Sequence, residues 1–140
     1  MEPRKTVLII ETEAMLTEKI EPWLRKEGYY AFSIDKADSV VPLLDSKDRI
    51  YAIVLVDDLE SEDSLGENLR ILKRLASEVP IIVTTPLNDA EKERNAREAG
   101  IFYYHCESAG MDELKTAVSC AIEYAIDKGI FMPFTNWIKT

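Results

Sequence analysis

The chain has 140 residues, of which 46% are hydrophobic and 31% are charged, a composition that excludes a disordered chain and fits one globular domain. Its net charge of −9 repels the phosphates of nucleic acids and anionic lipids, so neither nucleic acid nor membrane is an expected partner. No apolar run approaches the roughly 20 residues that span a bilayer, and the first residues lack the apolar segment of a signal peptide. We therefore expect a cytoplasmic protein.

The first part of the chain alternates between strand and helix patterns. Val7–Ile10 is wholly aliphatic and predicts a strand that is buried on both faces. A stripe of apolar residues over 16–24 predicts a helix, in which Pro22 predicts a kink or a local break. The mixed, aromatic run Tyr29–Ile34 predicts a strand near a sheet edge, and a short helix fits Val40–Leu44.

The second part of the chain continues this alternation. Strands are predicted at Ala52–Val56, Ile81–Val83 and Ile101–Cys106, with helices over 65–76, 88–99 and 111–125. Asn88, followed three residues later by Glu91, predicts the capping pair that opens the helix over 88–99.

Five strands alternating with five helices predict right-handed βαβ crossovers and a flavodoxin-like, doubly wound parallel sheet in three α/β/α layers. In the order 2-1-3-4-5, such a sheet places its functional crevice at the carboxyl ends of strands 1 and 3. The residues at those ends are acidic: Glu11-Thr12-Glu13 follows strand 1, and Asp57-Asp58 follows strand 3. The site is therefore expected at this edge.

Several segments of the chain resemble the receiver domain of bacterial response regulators, the family that includes the chemotaxis regulator. Ile53–Asp57 resembles the phosphoacceptor strand of that family, and Pro80–Thr85 resembles its fourth strand with a terminal hydroxyl. Gly100 and Tyr104 match the glycine before the fifth strand and the aromatic switch position within it. The resemblance covers roughly residues 5–128, and we expect residues 1–128 to form the receiver-like domain.

The resemblance implies a phosphoryl-transfer switch. Asp57 would be the phosphoacceptor, and Mg²⁺ would be held by Asp57 together with an acidic pair after strand 1. A lysine after strand 5 would pair with the phosphoryl group, and the hydroxyl of Thr85 would donate to it. Tyr104 would then rotate into the space that the hydroxyl leaves.

The chain departs from this pattern at four site positions and in the loop after strand 3, where Leu59-Glu60-Ser61 replaces the family's usual Met-Pro turn. Glu11-Thr12 replaces the acidic pair, Glu107 stands at the lysine position, and Ser108 replaces the proline that follows it. Two unit charges about 4 Å apart interact by roughly 4 kcal/mol at an effective dielectric near 20. Reversing the charge at Glu107 therefore opposes an incoming phosphoryl group, and an Mg²⁺ site built from Glu11, Glu13 and Asp57 would be weak or lost.

These observations predict a stand-alone, degenerate receiver-like domain of a two-component or phosphorelay pathway that is not an enzyme. It would require no cofactor and would act through protein contact, with a histidine kinase or a downstream signalling protein as partner. The resemblance points to the face formed by the fourth and fifth helices and the fifth strand. The apolar tail, residues 129–140, is expected to pack on the domain or in a homodimer, for which the fourth and fifth helices are the other candidate surface.

Two alternative functions remain open from the sequence. In one, Asp57 accepts a phosphoryl group with Mg²⁺ bound. In the other, the domain binds a flavin, which would need a phosphate-cradling loop after strand 1, where Glu11 and Glu13 stand instead.

Some residues also have simpler structural interpretations. Thr85 serves equally well as a cap of the strand end, and Tyr104 as a packing residue in an aromatic run. His105 is expected in the core or at a sheet edge, and Cys106 and Cys120 as reduced, buried thiols.

Overall fold

Five parallel strands form one sheet of order β2-β1-β3-β4-β5 in the computed structural model, which describes residues 4–43, 48–59 and 63–130. The strands are β1 (Lys5–Ile10), β2 (Tyr30–Ile34), β3 (Arg49–Val56), β4 (Ile81–Thr85) and β5 (Tyr103–Cys106). The predicted strand order and parallel topology are confirmed.

Four α-helices lie in the described part of the chain. They are α1 (Met15–Lys26), α2 (Ser64–Leu75), α3 (Ala90–Glu98) and α4 (Met111–Lys128), and two 3₁₀ segments cover Ala37–Leu43 and Glu107–Ala109. The prediction of five helices is therefore wrong by one, because the segment around Val40 forms a 3₁₀ turn. Pro42 lacks an N–H group, and adjacent β-branched valines disfavour an α-helix there.

Two helix details also differ from expectation. The helix α1 continues across Pro22 from Met15 to Lys26, so the predicted break does not occur. Pro22 is exposed, so the carbonyl that it leaves without a donor can be hydrated. At α3, the capping residue is Asp89 and not Asn88, since the Asp89 carboxylate accepts the N–H groups of Glu91 and Lys92 at 3.0 and 3.1 Å.

The core consists of two clusters, one on each face of the sheet. On one face, Leu8 and Ile53 pack with Leu69 of α2 and Ala96 of α3. On the other face, their strand neighbours pack with α1 and α4, through residues that include Val7, Val54, Ile20, Leu24, Leu114 and Val118. The predicted three-layer arrangement is confirmed, and the starts of α1 and α4 flank the carboxyl edge of the sheet on the same face.

The two cysteines differ in how far they are buried. Both thiols are free, but Cys106 is half-buried and Cys120 is exposed, so the prediction that both are buried is wrong.

Of the tail predicted over 129–140, all but Gly129 and Ile130 lies outside the described residues. Among the helices that are described, none has the length and apolar character needed to cross a membrane.

Candidate functional site

Asp57 lies at the carboxyl end of β3, with a side chain that is 0% exposed. Its backbone N–H donates to the Thr84 carbonyl at 2.8 Å, which fixes it against β4. Its Oδ2 accepts from Lys92 Nζ at 3.1 Å and from Thr85 Oγ1 at 3.3 Å. Its Oδ1 accepts from the Leu59 backbone N–H at 3.2 Å. Both carboxylate oxygens of the predicted phosphoacceptor therefore have donors already.

Lys92 is the functional residue that the sequence interpretation missed. It lies in the first turn of α3, where the Asp89 cap fixes its backbone, and its side chain is 24% exposed. A buried carboxylate is costly without a nearby cation, and Lys92 supplies that cation from a helix, not from the position after β5 occupied by Glu107. Asp57, Thr85, Lys92 and Tyr104 are together called the Asp57 pocket below.

Thr85 makes two hydrogen bonds, one at the end of β4 and one to Asp57. It is buried, and its hydroxyl donates to Asp57 while accepting the backbone N–H of Leu87 at 3.3 Å. Thr85 therefore caps the end of β4 and contacts the candidate site at the same time.

Tyr104 points into the core on the α3 face of the sheet. Its hydroxyl is buried and has no hydrogen-bond partner within the described residues. Burial, and secondarily the negative charge of Asp57, raises the pKa of Tyr104 to about 12. The neutral phenol is therefore strongly favoured, and the ring packs in the core as its simpler structural interpretation expected.

Glu11 turns away from Asp57 and binds the start of α1. Its Oε1 accepts the Leu16 N–H at 2.9 Å, while Oε2 accepts the N–H and hydroxyl of Thr17 at 3.1 and 3.2 Å. The carboxylate is buried and satisfies backbone donors at the helix start, where negative charge is favourable. Its geometry is that of a structural cap.

The remaining acids after β1 and β3 do not assemble a metal site with Asp57. The Thr12 hydroxyl donates to Asp58 Oδ2 at 2.6 Å, and Glu13 is exposed. Within the ranges that the structure describes, no group of three or more His, Cys, Asp or Glu side chains is placed to hold a metal ion. Since the Glu11 carboxylate accepts three hydrogen bonds from the start of α1, Glu11 does not share a cation with Asp57 in this arrangement.

Glu107 and Ser108 lie exposed in the 3₁₀ turn after β5. Glu107 lines a cleft of about 890 Å³ between the starts of α1 and α4, called the acidic cleft below. The other lining residues are Glu11, Thr12, Glu13, Met15, Leu16, Lys19, Val56, Asp58, Thr84, His105, Gly110, Met111 and Leu114. Apart from Ser108, the predicted site positions thus divide between the Asp57 pocket and this cleft.

His105 is a buried residue in the lining of the acidic cleft, as expected for a core histidine. Its Nδ1 lies 2.7 Å from Thr84 Oγ1, and its Nε2 lies 2.9 Å from the Gly110 carbonyl oxygen. A carbonyl oxygen only accepts, so the Nε2–H group donates to Gly110. His105 joins β4 to the start of α4.

The turn after Asp57 contains Leu59 with φ of 63°, in the left-handed region that side chains other than glycine rarely adopt. This conformation directs the Leu59 N–H to Asp57. The family's Met-Pro turn is absent here, and the rest of the substituted loop, residues 60–62, lies outside the described residues.

The fold matches that of several solved receiver domains. A receiver domain from Clostridium thermocellum superimposes with a TM-score of 0.71 at 18% identity, covering 89% of this chain and 98% of the other. A CheY-like receiver domain from Methanospirillum hungatei gives a TM-score of 0.74 at 16% identity, covering 90% and 99%. The predicted receiver-domain fold is confirmed, and at these identities the likeness concerns the fold alone.

The same fold also occurs in a structure described as an adenylate cyclase from Rhodopirellula baltica, with a TM-score of 0.73 at 12% identity, covering 91% and 93%. No protein-family model matches the chain, and no curated protein matches it. The chain has the fold of a response-regulator receiver domain, and what it does depends on its own residues.

Proposed function

We propose that this receiver-like domain signals by protein contact, without phosphorylation, Mg²⁺ or catalysis, and that Lys92 holds it in one state. The observation that carries the proposal is the fully buried Asp57 carboxylate, which Lys92 and Thr85 already contact through Oδ2. A phosphoryl donor would have to displace the Lys92 ammonium before Oδ2 could attack.

The surroundings of Asp57 support the same proposal. Glu107, exposed at the cleft, opposes a phosphoryl donor where the family has a cation. Glu11, which would share a metal, is engaged with α1 through three hydrogen bonds. An inward Tyr104 and a Thr85 bonded to Asp57 resemble the end state of the family's switch, reached here with an ion pair in place of a phosphoryl group.

The alternative function is a phosphorylatable receiver, and one observation favours it. Lys92 and Thr85 both lie at Oδ2, so the same two side chains are placed to neutralise and hydrogen-bond a phosphoryl group on Asp57. In this alternative, Lys92 takes the place of the family's lysine, because the position after β5 holds Glu107.

Amide NMR distinguishes the two functions. The protein is titrated with Mg²⁺ and then with beryllofluoride, which mimics an aspartyl phosphate, and Asp57→Ala serves as the control. The proposal expects unchanged signals at Asp57, Thr85, Lys92 and Tyr104. Shifts at these residues that disappear in Asp57→Ala would establish the phosphorylatable receiver instead.

A further inference from the structure

The acidic cleft has an apolar floor that continues onto an exposed surface. Val56, Leu16, Met111 and Leu114 line it, and Met15 at its mouth is 60% exposed. Long, unbranched methionine side chains adapt to differently shaped apolar groups. The cleft therefore offers aliphatic contact area at the carboxyl edge of the sheet.

Exposed apolar side chains concentrate at this edge. Of the six large hydrophobic residues that are exposed in the described part of the chain, three follow the ends of strands there: Met15 after β1, Leu59 after β3 and Leu87 after β4. All three residues therefore lie at the same edge of the sheet as the cleft and Asp57.

The charge around the floor has one dominant sign. Four carboxylates line the cleft, those of Glu11, Glu13, Asp58 and Glu107, against the single ammonium of Lys19. Glu11 is taken up by the start of α1, but Glu13 and Glu107 are exposed at the mouth. A concave surface with this charge concentrates cations and repels anions.

We propose that the acidic cleft receives a basic segment of a protein partner, in which a lysine or arginine stands next to an apolar residue. The aliphatic stem of the basic side chain packs along Met15, Leu16 and Met111 while its charged end reaches Glu13 and Glu107. Glu107, placed where the family carries a lysine, is then the residue that selects a cation.

The charge and shape of the cleft favour this occupant over others. An anionic ligand would face a net excess of carboxylates, and a purely apolar ligand would leave Glu13 and Glu107 without partners. The proposal rests on the proposed function, since it names the partner chemistry of a domain that acts by protein contact.

Methyl NMR provides the test, with the ε-methyl groups of Met15 and Met111 as reporters on two walls of the cleft. The probe is the peptide acetyl-Leu-Arg-Leu-Arg-Leu-amide, and the matched control probe replaces both arginines with neutral citrulline. The expected result is a saturable shift of both methyl signals with the arginine peptide, and a much weaker response to the citrulline peptide.

Variants connect the binding to the charge at the cleft mouth. Glu107→Gln should weaken the arginine peptide about threefold and Glu107→Lys about tenfold, the range expected of a partly exposed ion pair. Glu98→Gln removes an exposed carboxylate at the other end of the sheet and should leave the affinity unchanged. Equal binding of the two peptides, shifts confined to other surfaces, or no shift at either methionine would each overturn the proposal.

Different NMR signals test the two proposals. Beryllofluoride shifts at Asp57, Thr85 and Lys92 would contradict the phosphorylation-independent function, whatever the peptide does. Silent methionine methyl groups would contradict the basic partner alone, because the Asp57 pocket is monitored by separate amide resonances.

Discussion

The two sides of the carboxyl edge treat their acidic residues in opposite ways. In the Asp57 pocket, the carboxylate is buried and paired with a lysine that the fold supplies from α3. In the acidic cleft, Glu13 and Glu107 remain exposed above an apolar floor. The first side uses charge internally to fix the structure, whereas the second leaves charge available to a partner. Substitutions in the Asp57 pocket should therefore affect stability, and substitutions at the mouth of the acidic cleft should affect binding.

The largest loss of stability is expected from Lys92→Met, which leaves the Asp57 carboxylate buried without its cation. Breaking a buried pair costs about 3 to 5 kcal/mol, and because Lys92 is 24% exposed we expect about 2 to 3 kcal/mol. Urea denaturation measures this loss, with Arg94→Met on the same helix as the control. Adding Asp57→Asn should recover much of it, and a Lys92→Met protein as stable as the parent would show that the pair carries little energy.

The next effect is expected from Tyr104 at alkaline pH. Its pKa is raised from an ordinary 10.0 to about 12, so ionisation of the phenol destabilises the folded state. This loss of stability, roughly 2 kcal/mol, is absent below pH 10.0 and develops as the pH rises through about 12. Urea denaturation of Tyr104→Phe should lack this pH dependence.

Near neutral pH, Tyr104→Phe should be as stable as the parent or slightly more stable, because it removes a buried hydroxyl that has no partner among the residues described. Tyr30→Phe, at an exposed tyrosine, is the control for the alkaline series. A parallel pH dependence in the parent and Tyr104→Phe would place the alkaline transition elsewhere in the protein.

A smaller loss is expected from Glu11→Gln. The glutamine amide retains one acceptor oxygen but turns an NH₂ group toward donors at the start of α1, so we expect about 1 to 2 kcal/mol. Thermal unfolding compares it with Glu18→Gln, which removes an exposed acid from the same first turn. Equal losses of stability in Glu11→Gln and Glu18→Gln would show that the hydrogen bonds of Glu11 to the start of α1 add no particular stability.

The smallest effect on stability is expected from Glu107→Lys. Its side chain is exposed, so the free energy of unfolding should change by less than about 0.5 kcal/mol, as measured by urea denaturation. A large destabilisation would mean that Glu107 supports the fold, and the contrast between the two sides would then be wrong.

The fold could be predicted because its signal is local. The aliphatic runs at Val7–Ile10 and Ala52–Val56 lie within strands, and their lack of polar alternation follows directly from burial on both faces. The residue at which a helix begins could not be predicted as closely, because Asn88 and Asp89 are both good capping residues and only the backbone geometry selects Asp89.

The candidate site could be predicted only in part. Asp57, Thr85 and Tyr104 occupy motif positions, but Lys92 stands 35 residues beyond Asp57 in a helix dominated by charged residues. Such a helix is typical of a solvated surface, so nothing local distinguishes Lys92 from its neighbours. The sequence places Glu11 among the residues of a weak or lost metal site, but an acid just before a helix is also a natural helix cap. Long-range ion pairs of this kind require the tertiary structure.

The bridge from Thr84 through His105 to Gly110 gives the protein an internal spectroscopic reporter. The chain has 1 histidine, so the imidazole resonances need no assignment, and the hydrogen bond to Gly110 ties the Nε2 proton to the start of α4. A ligand that separates α1 from α4 should alter the exchange rate of this proton even when it never contacts the ring. One nitrogen-bound hydrogen thus reports on the opening of the cleft in the unmodified protein.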